Sequence, residues 1–404
     1  MKTGPIGPSG PSGGVDLQFS LVGHPSTLRL DQRSENVGQP PEVPLEEIDL
    51  AAQTLFAELL QRSLDAEFDA EYRENGTFIR KKSKDHYYWH YQWRDGGKIR
   101  NKYVGPVSDA SITDRVKRFS SLKARFKRRQ TLVRALAAAG LPTPDPLSGR
   151  IVEALWKAGF FRLRGVLVGT LAFQTYAGVL GVQLGRRPLM TQDADFAQFW
   201  GISENIGESL EPPLAILRRV DETFKEVPSL ADPFVSTRYR NGRDYLVDFL
   251  TPNRGSDERQ GKPARMRALA RTGAEPLRHL DFLIHQPERS VLLYAGGAPV
   301  TVPRAERFAV HKLIVAVDRV NQAKSVKDVE QAGLLIRALA VKRPSELADA
   351  WHTAWSTGRQ WRRKLESGRA RLAPGVDATL MTTVKRRQQL PIPALAFASA
   401  LLVQ

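Results

Sequence analysis

Leu55, Phe56, Leu59, Leu60 and Leu64 recur at helical spacing and predict an amphipathic helix over about 50–70. The period then shortens. Residues 76–82, 86–93 and 98–104 read as three strands, with Arg94-Asp-Gly-Gly97 turning the second into the third. A basic helix with few breakers follows over about 108–139 and ends in the proline-rich Gly140-Leu-Pro-Thr-Pro-Asp-Pro146. Strand and helix patterns alternate over about 149–303, which argues for an α/β unit, and the pattern is helical from there to about 372. These shifts divide the chain into a flexible tail (1–48), a helix–meander–helix region (49–148), an α/β domain (149–303), a helical domain (304–374) and a second tail (375–404). The first tail is rich in Gly, Pro and Ser and cannot bury enough surface to offset its ordering entropy. The second holds the basic Lys385-Arg-Arg387 and a Pro-flanked apolar end. No internal repeat is evident.

A length of 404 residues suits two or three units. The longest apolar stretch, 394–403, is about half of the roughly 20 residues a membrane span needs, so no membrane partner is expected. Cysteine is absent, which removes disulfide and thiolate chemistry, and no secretory pattern opens the chain. The expectation is a cytoplasmic, bacterial protein.

Charge adds a partner class. Sixty Lys and Arg oppose 43 Asp and Glu, for a formal charge of +17. Such a field concentrates polyanions, although surplus charge also serves solubility. Basic and aromatic residues interleave along 76–104, as in a surface that holds phosphates and stacks bases; the alternative is an aromatic face packed on neighbouring helices.

The candidate chemistry begins at Gly165-Val-Leu-Val168, a short strand leading through Gly169-Thr170 into a helix. A glycine there lets backbone approach a ligand, and helix N–H groups beside a threonine hydroxyl suit a phosphate. Next, in Thr191-Gln-Asp-Ala-Asp-Phe-Ala197, Asp193 and Asp195 are two apart on a strand and point the same way. Two like charges on one face are costly unless a cation offsets them, and hard oxygen ligands suit Mg²⁺. A third acid, Asp248, interrupts the apolar strand Tyr245-Leu-Val-Asp-Phe-Leu250, where a lone carboxylate is expensive. If all three share a face they could hold two metals. Asp244 has the same parity as Asp248 but sits beside the turn Asn241-Gly-Arg243.

Gly-Thr after a strand, Asp-x-Asp on the next and a later strand with one Asp resemble the nucleotidyltransferase fold of the DNA polymerase β superfamily. Leu167-Val-Gly-Thr-Leu-Ala172, Thr191-Gln-Asp-Ala-Asp-Phe196, Val247-Asp-Phe-Leu-Thr-Pro252 and Pro303-Arg-Ala-Glu-Arg-Phe-Ala-Val-His-Lys-Leu313 are similar to a bacterial GSU-type subgroup, over a span from the meander to about 347. The resemblance implies an α/β (α+β) nucleotidyltransferase fold with a mixed sheet. It implies transfer of a nucleoside monophosphate from an NTP such as ATP, with Gly169 and Thr170 on the phosphates. Asp193, Asp195 and Asp248 become ligands of Mg²⁺ or Mn²⁺, and Asp248 also the base for the acceptor hydroxyl. Thr170 stands where the superfamily has Ser or Gly, and the Thr170–Asp193 interval is long; a helix extension or a loop around 181–188 is expected to absorb it, which would bring Arg186-Arg187 near the substrate entrance.

Downstream, Phe308, Val310, Leu313, Ile314 and Val317 give a helix an apolar side, with Lys312 and Arg319 two turns apart and Lys324 and Asp328 on the next helix. This layout resembles that of abortive-infection nucleotidyltransferase toxins and assigns Lys312 to the triphosphate, with His311 and Arg319 as alternatives; a solvated basic face is the competing reading. Charge and meander favour RNA as acceptor, including a tRNA 3′ end, and a toxin would have a cognate antitoxin-like partner. Transfer to a small molecule or a protein, and a binding module without turnover, are the other readings.

Overall fold

The computed structural model describes residues 45–64, 76–83, 85–95, 97–185, 191–205, 207–229, 231–232, 234–255 and 261–389. Helix α1 (Leu50–Leu64) lays Ala52, Phe56 and Leu59 against Leu132, Val133 and Leu136 of the long α2 (Ala110–Ala138), whose N-terminus is capped by the Asp109 carboxylate. Between them β1 (Thr77–Ser83), β2 (His86–Asp95) and β3 (Lys98–Pro106) form an antiparallel meander. One face packs on α2: Tyr91 and Phe78 meet Phe119, and the Trp89 indole donates to Thr113 at 3.0 Å. The other carries Tyr103, 56% exposed, whose ring meets those of Tyr88 at 5.9 Å and His90 at 5.5 Å. Packing thus accounts for one face of the meander only.

The tail expected over 1–48 ends earlier. Ile48 is buried and donates its N–H to Gly181 O at 3.0 Å, and Glu47 bridges to Val182, because Ile48 supplies an apolar group to the α1–α2 core.

The α/β region opens with α3 (Pro146–Lys157), capped by Asp145, then β4 (Val166–Val168), α4 (Gly169–Leu180), β5 (Asp193–Ala197), α5 (Trp200–Asn205) and α6 (Pro213–Val220). Strands β6 (Lys225–Pro228), β7 (Ser236–Arg240), β8 (Leu246–Pro252), β9 (Ala264–Met266) and β10 (Thr272–Leu277) follow, then α7 (Leu280–Leu283) and the hairpin β11 (Glu288–Leu292) and β12 (Ala298–Val302). The sheet runs β4-β5-β8-β10-β9, with β7 paired to β8 and β6 to β7. It is mixed: β5, β8 and β10 are parallel neighbours, while β4, β7 and β9 are antiparallel to theirs. Phe196 and Phe249 stack 5.8 Å apart in the core on one face, and burying each contributes on the order of 1.5–3 kcal/mol. That packing fixes the parity of β5 and β8, and hence which residues face outward.

Helices α8 (Ala305–Asp318), α9 (Gln322–Lys342), α10 (Pro344–Ser356) and α11 (Arg359–Arg369) complete the body; Phe308 of α8 touches Phe173 and Tyr176 of α4. The expected tail over 375–404 is in part a further helix, α12 (Pro374–Gln389), with Leu380 and Val384 buried one turn apart. Residues 390–404, and the Arg186-Arg187 pair expected near the substrate entrance, lie outside the described residues. Among the described residues no helix is long and apolar enough to cross a membrane.

Candidate active site

Alternation along β5 and β8 separates core from site. Ala194, Phe196, Val247 and Phe249 are buried, so Asp193, Asp195 and Asp248 take the opposite face. Register does the rest: Asp195 pairs with Asp248 across the parallel β5–β8 ladder, Val168 pairs with Asp195 on one side, and Arg238 with Asp248 on the other. One row of the sheet therefore reads Val168, Asp195, Asp248, Arg238, with Asp193 a step along β5. Neighbouring strands are about 4.8 Å apart, so Asp195 and Asp248 cannot avoid each other's field.

Two of the three acids hold a side-chain cation. Arg238 grips Asp248 with two hydrogen bonds, Nε to Oδ1 at 2.6 Å and a terminal nitrogen to Oδ2 at 2.9 Å, and this raises the arginine pKa. Asp193 accepts from the Thr191 hydroxyl and from Lys324 Nζ at 3.2 Å. Burial pushes the Asp193 pKa up, but these two partners outweigh it and hold it below the usual carboxylate range. Asp195 stands between the other acids. Burial first, then the charges of Asp193 and Asp248, push it up to about 7 despite the opposing fields of Lys312 and Lys324.

Gly169 brings backbone against this acid. Its φ is +68°, and a Cβ there would lie 2.5 Å from Asp195 Oδ2, so both conformation and space require glycine. Thr170 follows in the buried first turn of α4, whose start has no side-chain cap. A cavity of about 360 Å³ opens beside them, bordered by Gly169, Asp195, His311, Lys312 and Arg319. Lys312 is buried and donates to Asp328 Oδ1, while Arg319 donates to Oδ2 of the same carboxylate at 3.0 Å. Lys312 and Arg319, expected at the triphosphate, both line the cavity and share one buried acid. His311 is held well below its ordinary pKa by burial, then by the neighbouring Lys312, His279 and Arg319, so at neutral pH it carries no charge for a phosphate. Asp244 is exposed in the β7–β8 turn, paired with Arg240 at 3.6 Å, away from the acid row.

Three hard carboxylates on one face, with Asp195 pushed up by its neighbours, are a donor set that suits a divalent cation. Among the described residues no three His, Asp or Glu side chains form a group that could hold a metal ion; Asp248 is engaged by Arg238, and Asp193 by Lys324 and Thr191. Arg238 is the residue the sequence reading missed. Its signal was the turn from Asn241 to Tyr245: counting five positions outward from Arg243 along each strand sets Arg238 opposite Asp248. The Lys324–Asp193 contact spans 131 positions and has no local signature.

A family model described as "Nucleotidyltransferase" matches residues 147–356, from α3 through α10, and one for a domain of unknown function (DUF6788) matches 46–114. No curated protein matches the chain. A crystal structure of an antigenic nucleotidyltransferase-like protein from Paracoccidioides brasiliensis is similar at 12% identity and a TM-score of 0.27, covering 56% of this chain and 95% of that one.

Proposed function

The chain belongs to the nucleotidyltransferase family matched over 147–356, and from that premise we propose that it transfers a nucleoside monophosphate from an NTP to RNA in a reaction dependent on Mg²⁺ or Mn²⁺. The observation that carries the reading is the in-register pair Asp195–Asp248 with Asp193 beside it, of which Asp195 borders the cavity lined by Gly169, Lys312 and Arg319. Asp193, Asp195 and Asp248 would hold the metal, which when bound polarises phosphoryl oxygen and favours deprotonation of the attacking hydroxyl. Gly169 and Thr170 receive phosphate at the start of α4, and Lys312 and Arg319 supply positive charge from the facing wall. Asp248, gripped by Arg238, accepts the acceptor's proton once that grip loosens.

RNA as acceptor, including a tRNA 3′ end, is supported by the formal charge of +17 and by the Tyr88, His90 and Tyr103 face of the meander. The finer kinship to the GSU-type subgroup, and a toxin role with an antitoxin-like partner, rest on the sequence resemblance. Growth arrest on expression, absent from an Asp195→Asn variant, tests the toxin role. The acceptor is tested by incubating the protein with labelled NTPs, Mg²⁺ or Mn²⁺, and RNA, protein and small-molecule pools side by side. Label entering RNA alone supports the proposal; label entering protein or a small molecule replaces RNA as the acceptor.

A further inference from the structure

A second cavity, of about 660 Å³, lies along α9 and is separate in its lining from the one at Gly169 and Asp195. Its size is within the roughly 300–1,000 Å³ of small-molecule sites. Val329, Leu334, Leu372 and Val376 make apolar walls, and Lys327 and Arg337 add positive charge. Gln331 also lines it. That side chain is 2% exposed, and both its amide nitrogen and its amide oxygen have no hydrogen-bond partner among the described residues. A buried amide left so costs on the order of 1–3 kcal/mol, which a ligand presenting a donor beside an acceptor removes.

The position of the cavity ties it to the transfer site. Lys327 borders it and lies within electrostatic reach of Asp193, while Lys324, one turn earlier on α9, donates to Asp193 at 3.2 Å. The acid row thus has the Gly169 cavity at Asp195 and the α9 cavity beyond Asp193. The first has the glycine turn and Lys312 for a triphosphate; the second has apolar walls, the Gln331 amide and cations.

We propose that the α9 cavity is a nucleobase pocket that holds the base of the acceptor nucleotide, with Gln331 hydrogen-bonding the base edge and Lys327 and Arg337 meeting its phosphates. An amide pairs with the adjacent donor and acceptor that every base displays, and apolar walls accept its faces. The proposal rests on Asp193 and Asp195 as the transfer site for the word "acceptor", but the pocket itself is tested without turnover.

The test is equilibrium binding of AMP, GMP, CMP and UMP to the full chain in the absence of divalent metal, with ribose 5-phosphate as the probe for phosphate alone. Two variants address the pocket. Gln331→Leu removes the amide and is expected to weaken binding about tenfold, the worth of one or two hydrogen bonds. Gly333→Leu fills the cavity: a Cβ at Gly333 meets Leu372 and Val376 at 3.7 and 3.9 Å, ordinary contact, so the helix accepts it and the nucleotide is shut out. Val341→Ala, at an exposed position of α9 that lines neither cavity, is expected to leave this binding intact. Binding equal in wild type, Gln331→Leu and Gly333→Leu, or ribose 5-phosphate binding as tightly as the nucleotides, overturns the pocket. If nucleotides bind as expected while the metal-dependent transfer assay is negative, the pocket stands and the transfer reading fails.

Discussion

Replacing Asp195 by asparagine should stabilise the metal-free protein, and only at neutral to alkaline pH. The side chain keeps its shape and loses its charge. In the folded chain the Asp195 carboxyl is pushed up to about 7 from an ordinary 3.8, by burial and by Asp193 and Asp248. The folded state therefore binds this proton more tightly than the unfolded state. Below pH ~4 both states are protonated and the residue has no effect; from there to about 7 the unfolded chain gains a charge the folded one resists, so stability falls with rising pH. Above 7 the penalty is complete. Three pH units correspond to about 4 kcal/mol as a ceiling, and relaxation around a coupled acid cluster reduces it to roughly 2–4 kcal/mol. In a chain of this size that is a rise in Tm on the order of 5 °C. Thermal unfolding of wild type and Asp195→Asn at pH 4.5 and pH 8 in EDTA measures it. A gain at pH 8 that shrinks at pH 4.5 agrees with the crowding of three acids. A variant no more stable than wild type at pH 8, or equally stabilised at both pH values, would falsify the electrostatic account.

Other consequences follow from the same geometry. Gly169→Ala must place a Cβ 2.5 Å from Asp195 Oδ2 at a φ of +68°, so it should lose about 1–3 kcal/mol in urea unfolding and most transfer activity; an active, undisturbed variant removes the close-approach argument. Lys312→Ala leaves the buried Asp328 with Arg319 alone and should cost roughly 3–5 kcal/mol, whereas Lys312→Met with Asp328→Asn should recover stability but not NTP affinity. Recovery of both would make the pair purely structural. Tyr88→Ala with Tyr103→Ala should weaken single-stranded RNA binding by about 1–3 kcal/mol per lost stacking partner at unchanged Tm, read by fluorescence anisotropy. Equal binding by wild type and variant removes this face from recognition.

What sequence could disclose depended on whether the cause was local. The Gly169 turn, the apolar alternation of Val247 and Phe249 around Asp248, and the helical spacing of Phe308 and Leu313 are all written within a few residues, and the elements stand where those patterns placed them. Register is not local: the pairing of Asp195 with Asp248 joins strands 53 positions apart, and only the apolar company of Asp248 hinted at it. The two aromatic faces of the meander differ because α2 covers one of them, a tertiary fact that alternation alone could not assign. Helix α12 was missed because its buried Leu380 and Val384 sit among polar and basic residues, so its apolar stripe is narrow. Lys312 was expected at the triphosphate, but its buried pairing with Asp328, 16 positions on, has no local signature in the sequence.

The central claim is that the Asp193, Asp195 and Asp248 cluster performs metal-dependent nucleotidyl transfer, and pyrophosphate release tests it most directly. Wild type and the single variants Asp195→Asn and Asp248→Asn are each incubated with NTPs, Mg²⁺ or Mn²⁺ and RNA, with folding checked by circular dichroism. Wild type should release pyrophosphate in step with label entering RNA, and each variant should fall by about 10³-fold or more, as expected when transition-state charge loses its stabilisation. Release that persists within tenfold in folded Asp195→Asn, or that needs no divalent metal, contradicts the account.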